Sequence, residues 1–130
     1  MNITLARVLV VDDELAMREF VVNALRRIGI QTIENCADGA QALKVAAQFK
    51  PDLILTDIHM QPLDGLEFVR VLRRHPNAEL RHTKVIFMSA DASRETLEEA
   101  LPLGTFGYIV KPPRIETLQA KLEQALKPHP

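Results

Sequence analysis

The stretch Val-Leu-Val-Val-Asp-Asp at residues 8–13 is a run of apolar side chains that ends abruptly in two acidic ones. Three later stretches repeat the pattern: Leu-Ile-Leu-Thr-Asp at 53–57, Val-Ile-Phe-Met-Ser at 85–89 and Tyr-Ile-Val-Lys at 108–111. Short continuous apolar runs are typical of parallel strands that are covered on both faces. Because the carboxyl ends of parallel strands meet at one edge of a sheet, we expect three carboxylates, a hydroxyl and an ammonium to converge there.

Amphipathic helical patterns separate the apolar runs, so that strands and helices alternate five times. The first helix is expected to end at Gly29, because the residue that follows a helix often has positive φ, which glycine adopts readily. The second helix is expected to begin at Asp38 and Gly39. Strands are predicted at about residues 6–11, 30–36, 53–56, 84–88 and 107–110. This alternation predicts a three-layer, doubly wound (βα)5 fold of the α/β class, with one parallel five-stranded sheet between helices. Ligands of such sheets bind outside the carboxyl ends of the strands.

Length and composition predict one globular domain over residues 1–130, with residues 127–130 as a tail or the start of a linker. The net charge of -1 gives no basic field and argues against a nucleic-acid partner. The only cysteine, Cys36, is predicted to be a small buried hydrophobic residue. Neither a signal peptide nor an apolar stretch of the roughly 18 residues that span a bilayer is recognisable, so we expect a cytoplasmic protein without a membrane partner.

A local basic stretch consists of Arg70, Arg73, Arg74, Arg81 and Lys84. Charge runs of this kind are most often solvated faces, in this case the end of a helix and the loop that follows it. An anion-binding patch is the alternative interpretation.

Asp12, Asp13 and Asp57 are the three carboxylates expected at the shared edge. A single acidic residue after a strand is commonly a helix cap, and Asp13 is well placed to cap the helix that follows it. Two unit charges about 5 Å apart repel by roughly 3 kcal/mol at an effective dielectric constant near 20, so three together favour a hard cation between them. A small number of oxygen ligands suits Mg2+, whereas no cysteine or histidine stands at zinc spacing.

Lys111 and Ser89 add a cation and a hydroxyl to the predicted edge. The ammonium of Lys111 can reach back to neutralise a phosphoryl oxygen, and a cis bond between Lys111 and Pro112 would aim that side chain inward. The hydroxyl of Ser89 can donate to the same oxygen. Taken singly, each residue is also compatible with an ordinary surface or loop position.

Five short motifs in one order resemble the receiver domain of response regulators in two-component signal transduction. They are Val-Val-Asp-Asp-Glu at 10–14, Thr-Asp-Ile-His-Met at 56–60, Leu-Asp-Gly at 63–65, Met-Ser-Ala at 88–90 and Gly-Tyr-Ile-Val-Lys-Pro at 107–112. The resemblance covers essentially the whole chain. It implies a flavodoxin-like sheet with strand order 2-1-3-4-5, the fold of the chemotaxis regulators.

The resemblance implies that Asp57 is the phosphoacceptor. Its carboxylate would attack the phosphorus of a phosphohistidine on a sensor histidine kinase or a phosphotransfer protein, which gives an acyl phosphate. Asp12, Asp13, Asp57 and the main-chain carbonyl of His59 would be the Mg2+ ligands. The chain would then be a switch that catalyses only its own phosphotransfer and dephosphorylation, and not an enzyme in the usual sense.

The resemblance also implies a path from the site to the surface. Lys111 and Ser89 would stabilise the phosphoryl group, and Ser89 with Tyr108 would form the switch pair that shifts the face of helix 4, strand 5 and helix 5. His59 and Asp91 are candidates for residues that tune dephosphorylation. The expected partners are the phosphodonor and an unknown effector, with the protein as a monomer or a phosphorylation-dependent homodimer.

The sequence departs from the usual pattern of the family in three places, one of which is His59, two residues after Asp57, where receivers vary. Gln61 stands where the family commonly has proline, with Pro62 one position later, so the loop after Asp57 is expected to have another shape. Pro102 falls near the end of the fourth predicted helix and is expected to shorten it. That helix belongs to the expected signalling face.

Two other functions are compatible with the carboxylates. A degenerate receiver would serve only as a protein-binding module, but it is expected to have lost an acidic residue or the lysine. A phosphatase of the dehalogenase type also uses an aspartate nucleophile and Mg2+ on a doubly wound sheet. That class places its nucleophile after the first strand with a second Asp two residues on, whereas Asp12 and Asp13 are adjacent.

Overall fold

The computed structural model describes residues 2–90 and 94–127, with the side chains of 94 and 95 excepted. The strands are Arg7–Val11 (β1), Thr32–Cys36 (β2), Leu53–Asp57 (β3), Lys84–Ser89 (β4) and Gly107–Val110 (β5). The helices are Leu15–Ile28 (α1), Gly39–Phe49 (α2), Gly65–Arg73 (α3), Ala78–Arg81 (α4), Arg94–Ala100 (α5) and Ile115–Leu126 (α6). Short 3-10 turns at Ile3–Leu5 and Leu101–Leu103 precede β1 and follow α5. Among the helices of these residues, none combines the length and the apolar character that crossing a bilayer requires.

The strands of the described residues form one parallel sheet in the order β2-β1-β3-β4-β5. This order confirms the predicted flavodoxin-like architecture. Val10 of β1 pairs with Leu55 of β3, and Thr56 of β3 pairs with Phe87 of β4. Since β1 lies between β2 and β3, the strand order reverses there, and a crevice opens at the carboxyl ends of β1 and β3.

Apolar side chains on both faces of the sheet explain the continuous apolar runs of the sequence. Val10 belongs to one core cluster with Leu25 of α1 and Leu122 of α6. Its neighbour Leu9 belongs to a second cluster with Phe68 of α3. Successive residues of a strand point to opposite faces, so a strand between two helical layers needs apolar side chains at every position.

Two helix boundaries follow the local sequence as predicted. Gly29 has φ 113° and ends α1, and its main-chain N–H donates to the carbonyl of Leu25 at 3.1 Å. A side chain other than hydrogen is strained at that φ, which is why glycine ends the helix. At the start of α2, Asp38 is the cap residue, and its Oδ1 accepts a hydrogen bond from the main-chain N–H of Gln41 at 2.9 Å.

The structure differs from the predicted elements in two places. The second strand begins at Thr32 and not at residue 30, because the N–H of Ile30 still donates to a carbonyl of α1 and completes the helix end. The extra helix Ala78–Arg81 was not predicted. Asn77 caps it by accepting a hydrogen bond from the N–H of Glu79 at 2.9 Å. The predicted fourth and fifth helices are therefore α5 and α6 of the structure.

The end of α5 has the shape that Pro102 imposes. The helix stops at Ala100 and passes into the Leu101–Leu103 turn, in which Pro102 lies near the start. Proline has no N–H to continue the α-helical hydrogen bonds, so the expected shortening of this helix is confirmed. Gly104 then takes φ 72° and donates its N–H to the carbonyl of Leu101 at 3.3 Å.

Candidate functional site

The carboxyl ends of β1, β3 and β5 bring two acids and a lysine into direct contact. Lys111 Nζ lies 2.7 Å from Asp12 Oδ2 and 3.1 Å from Asp57 Oδ2. The Asp12 side chain is fully buried, and those of Asp57 and Lys111 are 9% and 10% exposed. The edge predicted from the apolar runs therefore exists, and most of its charge is withdrawn from water.

Asp13 lies at the same edge, but it is not a helix cap. The N-terminal cap position of α1 belongs to Glu14, whose N–H donates to Asp12 Oδ1 at 2.9 Å, so the capping role considered for Asp13 was wrong. The Asp13 carboxylate stays exposed. Ligand oxygens of Asp12, Asp13 and Asp57 all lie within 4.8 Å of one another. We call these three residues the acidic site.

The main chain and side chain of Asp12 are held from three sides. Its N–H donates to the carbonyl of Cys36 at 3.1 Å, which ties it to β2, and its carbonyl accepts from Arg18 Nη1 at 2.8 Å. Its Oδ2 is buried and accepts no well-directed hydrogen bond from the described residues, since the contact with Lys111 is an ion pair without hydrogen-bond geometry. A buried carboxylate oxygen in this condition suits a metal cation.

Burial and neighbouring charges act in opposite directions on Asp57. Burial raises the pKa of this carboxyl, Lys111 lowers it, and the nearby Asp12 adds to the rise, so that the net direction is upward. Its Oδ1 accepts a hydrogen bond from the N–H of Ile58 at 2.8 Å. The site therefore holds a carboxylate whose charge is only partly compensated.

Lys111 is positioned by the end of β5. Its main-chain N–H donates to the carbonyl of Ser89 at 2.9 Å, and the peptide bond between Lys111 and Pro112 is cis. Burial lowers the pKa of the Lys111 ammonium, but its contacts with Asp12 and Asp57 outweigh burial and raise that pKa. Lys111 is accordingly charged at neutral pH.

Gly65 joins α3 closely to the strand that carries Asp57. Its N–H donates to the carbonyl of Ile58 at 2.8 Å, and a Cβ at this position would overlap the main-chain carbonyl of Asp57. Only glycine permits this approach. The motif Leu-Asp-Gly at 63–65 contains a sequence signal for the start of α3, because Asp64 caps the helix. The close approach of Gly65 to Asp57 depends on tertiary structure and has no such local signal.

The expected switch residues lie on neighbouring strands. Ser89 is fully buried at the end of β4. Tyr108 of β5 is half-buried, pairs with Phe87 of β4 and packs against the second core cluster. Tyr108 is thus a half-buried aromatic on an outer strand, next to the β4 strand that ends in Ser89.

The residues considered for dephosphorylation are only partly described. The exposed His59 lines a depression of about 220 Å³ with Asp13, Met60, Gln61 and Asp64. The peptide bond between Gln61 and Pro62 in this loop is cis. Asp91 lies outside the described residues.

The basic stretch uses its guanidinium groups to bind main-chain carbonyls. Arg73 donates to three of them, Arg74 Nε donates to the carbonyl of Arg70 at 3.2 Å, and Arg81 Nη1 donates to the carbonyl of His75 at 3.1 Å. We call Arg73, Arg74 and Arg81 the arginine cluster. These contacts favour a structural role over the anion-binding patch considered from the sequence.

A parallel sheet of order 2-1-3-4-5 with three carboxylates and a lysine at its carboxyl edge defines the class of two-component signalling domains. The family of the response regulator receiver domain matches residues 8–123, and the chain belongs to this family. The predicted family is thereby confirmed. Receiver domains bind Mg2+ at an acidic pocket, and the acidic site provides such a pocket here.

Similar proteins agree with this membership. Chemotaxis protein CheY-3 of Vibrio cholerae is 36% identical over 118 residues, which cover 91% of this chain and 89% of that protein. The structure of CheY4 of Vibrio cholerae has a TM-score of 0.83 at 33% identity, with 94% of this chain and 99% of that chain covered. The receiver domain of the sensor histidine kinase PA1611 from Pseudomonas aeruginosa, solved with a magnesium ion coordinated in its active-site cleft, has a TM-score of 0.81 at 29% identity, with 92% and 95% covered.

Proposed function

We propose that this receiver domain is a phosphoacceptor switch in which Asp57 takes a phosphoryl group from a histidine kinase or a phosphotransfer protein. One observation carries the proposal: the buried Asp57 carboxylate contacts Lys111 and lies within 4.8 Å of the ligand oxygens of Asp12 and Asp13. A phosphoryl acceptor needs a nucleophilic oxygen beside concentrated positive charge, and this edge can provide both.

In the proposed transfer, a carboxylate oxygen of Asp57 forms a bond to the phosphorus of a phosphohistidine. The phosphorus–nitrogen bond breaks, and the imidazole keeps the electron pair and is neutralised by a proton. The products are an acyl phosphate on Asp57 and a free histidine on the donor. The Lys111 ammonium lies where it can neutralise a phosphoryl oxygen, and the Ser89 hydroxyl at the end of β4 is proposed to donate to another.

The acidic site fits Mg2+. Its donors are all oxygens, and the buried Oδ2 of Asp12 accepts no well-directed hydrogen bond from the described residues. Asp12, Asp13, Asp57 and the main-chain carbonyl of His59 are the proposed ligands. When bound, the ion supplies positive charge that compensates the carboxylates and the transferring phosphoryl group.

The proposed output is a shift in the face formed by α5, β5 and α6, reported through Ser89 and Tyr108. Two apolar side chains in these segments are well exposed, Val110 at the end of β5 at 52% and Leu101 just after α5 at 68%. They would give an effector an apolar contact. His59 and Asp91 are proposed to influence how fast water removes the phosphoryl group.

The remaining proposals concern organisation and partners. Residues 1–130 are proposed to be a single receiver domain, with 127–130 as a tail or the start of a linker. We propose a cytoplasmic protein that binds its phosphodonor and an effector, is a monomer or a phosphorylation-dependent homodimer, and has no direct nucleic-acid or membrane partner. No catalytic activity beyond its own phosphotransfer and dephosphorylation is proposed.

A small phosphodonor such as acetyl phosphate tests the proposal. Wild-type protein with the donor and Mg2+ is expected to gain one phosphoryl group, which intact-mass spectrometry detects, and to lose it in base. Asp57→Asn is expected to gain none. Asp52→Asn is the matched control, because Asp52 immediately precedes the first residue of β3, at the other end of the strand from Asp57. Asparagine at this position keeps an oxygen that can accept the hydrogen bond from the N–H of Arg7.

The outcomes separate the competing functions. A wild type without an adduct, or an adduct that persists in Asp57→Asn, would exclude the phosphoacceptor role. A wild type without an adduct that also fails to bind Mg2+ would favour a degenerate binding module. Steady turnover of many equivalents of a phosphate ester would favour the phosphatase.

A further inference from the structure

Arg73, the last residue of α3, joins three segments of the chain through one guanidinium group. Its Nε donates to the carbonyl of Leu103 at 2.9 Å, and its Nη1 donates to the carbonyls of Arg81 at 3.1 Å and Thr83 at 2.6 Å. These carbonyls belong to the turn after α5, the end of α4 and the residue before β4. A guanidinium carries five donors in a fixed plane, so it can hold several acceptors in one geometry.

A second contact links α3 to the end of α5. Arg70, one turn earlier on α3, lies 3.7 Å from a carboxylate oxygen of Glu99 near the end of α5. This pair is exposed to solvent, so its contribution is small. Among the polar contacts of the described residues, Arg73 therefore contributes most to anchoring the Leu101–Leu103 turn to α3, beside the apolar packing of Leu103 on the second core cluster.

The other end of α3 is tied to the phosphoacceptor strand. Gly65 donates its N–H to the carbonyl of Ile58 and lies against the carbonyl of Asp57, closely enough to exclude any side chain. The nine residues of α3 span about 13 Å at 1.5 Å per residue. One short helix thus connects the main chain of Asp57 to the segment that ends α5.

We propose that Arg73 is a positioning residue that couples the phosphorylation site to the Leu101–Leu103 turn through α3. This inference rests on the proposed function and adds a second path to it. The first path runs along β4 and β5 through Ser89 and Tyr108. The α3 path reaches the opposite end of α5, where Pro102 has replaced the last helical turn by a 3-10 turn.

The test compares Arg73→Gln and Arg73→Lys with the wild type. Arg74→Gln is the matched control, since the Nε of exposed Arg74 bonds a carbonyl of its own helix. Mg2+ and beryllofluoride, which imitates the phosphoryl group of an acyl phosphate, are added to 15N-labelled protein. The amide signals of Ile58 and Lys111 report the site, and those of Leu103 and Gly104 report the turn.

Wild type and Arg74→Gln are expected to respond at both places. In Arg73→Gln the response of Ile58 and Lys111 is expected to persist, while most of the response of Leu103 and Gly104 is lost. Arg73→Lys keeps the charge and can bond one carbonyl at a time, so an intermediate response is expected. A full response of Leu103 and Gly104 in Arg73→Gln would overturn the inference.

Hydrogen exchange separates coupling from a purely structural role. The N–H of Gly104 bonds the carbonyl of Leu101, so its exchange rate reports how firmly the turn is held. Coupling predicts that beryllofluoride changes this rate in the wild type and Arg74→Gln but not in Arg73→Gln. A purely structural Arg73 would give faster exchange in Arg73→Gln with the change on beryllofluoride preserved, which contradicts the inference.

Two further outcomes have fixed meanings. A wild type that responds at Ile58 and Lys111 but not at Leu103 and Gly104 contradicts this inference alone. A wild type that responds at neither place contradicts the proposed function as well. If Arg73→Gln does not fold, Arg73→Lys is judged by the same criterion, and a full response at the turn in that variant overturns the coupling.

Discussion

Two clusters of like charge lie at the two ends of α3, and they use their charge differently. The acidic site groups three carboxylates, two of which contact the ammonium of Lys111. It includes a buried oxygen, Asp12 Oδ2, that accepts no well-directed hydrogen bond from the described residues. The arginine cluster points its guanidinium groups at main-chain carbonyls of its own region. The first cluster has charge left for a ligand, whereas the second is satisfied by the fold.

This difference shows how a functional charge cluster can be told from a structural one. Both clusters are visible in the sequence as runs or pairs of like charges. What separates them is whether the surrounding structure supplies partners of opposite polarity. Removing the charge of Arg73, which has three carbonyl partners, should therefore destabilise the fold, whereas removing a carboxylate from the metal-free acidic site should stabilise it.

The largest effect is expected where α3 meets the acidic site. Gly65→Ala would place a methyl group on the carbonyl of Asp57, so we expect a loss of about 3 kcal/mol in the free energy of unfolding. Urea denaturation measures this loss. Gly107→Ala is the control, because the atoms nearest to its Cβ would belong to the flexible side chain of Lys121. Equal losses in the two variants would show that α3 does not need its close approach.

The next effect concerns the arginine cluster. Arg73→Gln removes a charged donor from three carbonyls, and we expect a loss of about 2 kcal/mol in unfolding free energy. Arg74→Gln, with one exposed bond, should stay within about 0.5 kcal/mol of the wild type. An Arg73→Gln variant as stable as Arg74→Gln would contradict the view that the cluster is structural.

A gain of stability is expected at the acidic site. Burial raises the pKa of Asp57, so the folded state holds this proton more tightly than the unfolded state does. The stabilising contribution is full below the unfolded pKa near 3.8 and is lost as pH rises through the folded pKa. At neutral pH without metal, the ionised carboxylate therefore costs stability, and Asp57→Asn should gain about 1 kcal/mol.

Thermal unfolding in the presence of a chelator measures this gain. The gain in stability from Asp57→Asn should be larger at pH 7 than at pH 4, and Asp52→Asn should give no such gain. Added Mg2+ should stabilise the wild type by mass action, by about 2.7 kcal/mol at one hundred times its dissociation constant, and should stabilise Asp57→Asn less. If Asp57→Asn destabilises the metal-free protein, the acidic site does not differ from the arginine cluster in its response to the loss of a charge, which contradicts the comparison.

The smallest effect concerns Cys36, whose carbonyl holds the N–H of Asp12. Burial raises the pKa of its thiol to about 11, and Asp38 adds to the rise. The proton is held more tightly in the folded state, so the stabilising contribution is full below the unfolded pKa near 9.0 and falls as pH rises toward the folded value. Between pH 7 and 9, the free energy of unfolding should fall more for the wild type than for Cys36→Ala, and the difference should be less than about 1 kcal/mol. Urea denaturation of both proteins at the two pH values measures it. Identical pH profiles of the two proteins would show that this thiol is not buried.

The fold and the converging edge could be predicted from the sequence because both depend on local patterns. Strands covered on both faces are apolar at every position, and parallel strands bring their carboxyl ends together, so Asp57 and Lys111 could be placed before any coordinates. The resemblance supplied the strand order and the proposed roles. The family itself is confirmed, while the roles of the individual residues remain proposals.

The parts that could not be predicted depend on contacts distant in sequence. Nothing local says that Arg73 bonds the carbonyl of Leu103, thirty residues away, or that Gly65 lies on the carbonyl of Asp57. Asp13 was in the right place for a cap, but Asp12 Oδ1 takes the N–H of Glu14 instead. The short helix α4 was missed although its cap, Asn77, was readable.

Reductive trapping of the acyl phosphate tests the central claim most directly. Wild-type protein is treated with acetyl phosphate and Mg2+ and then with borohydride, which reduces an aspartyl phosphate to homoserine, and the modified residue is located by tandem mass spectrometry. We predict homoserine at position 57 alone, dependent on Mg2+ and absent without the phosphodonor. Homoserine at position 12 or 13, or at no position, would contradict the assignment of Asp57 as the phosphoacceptor.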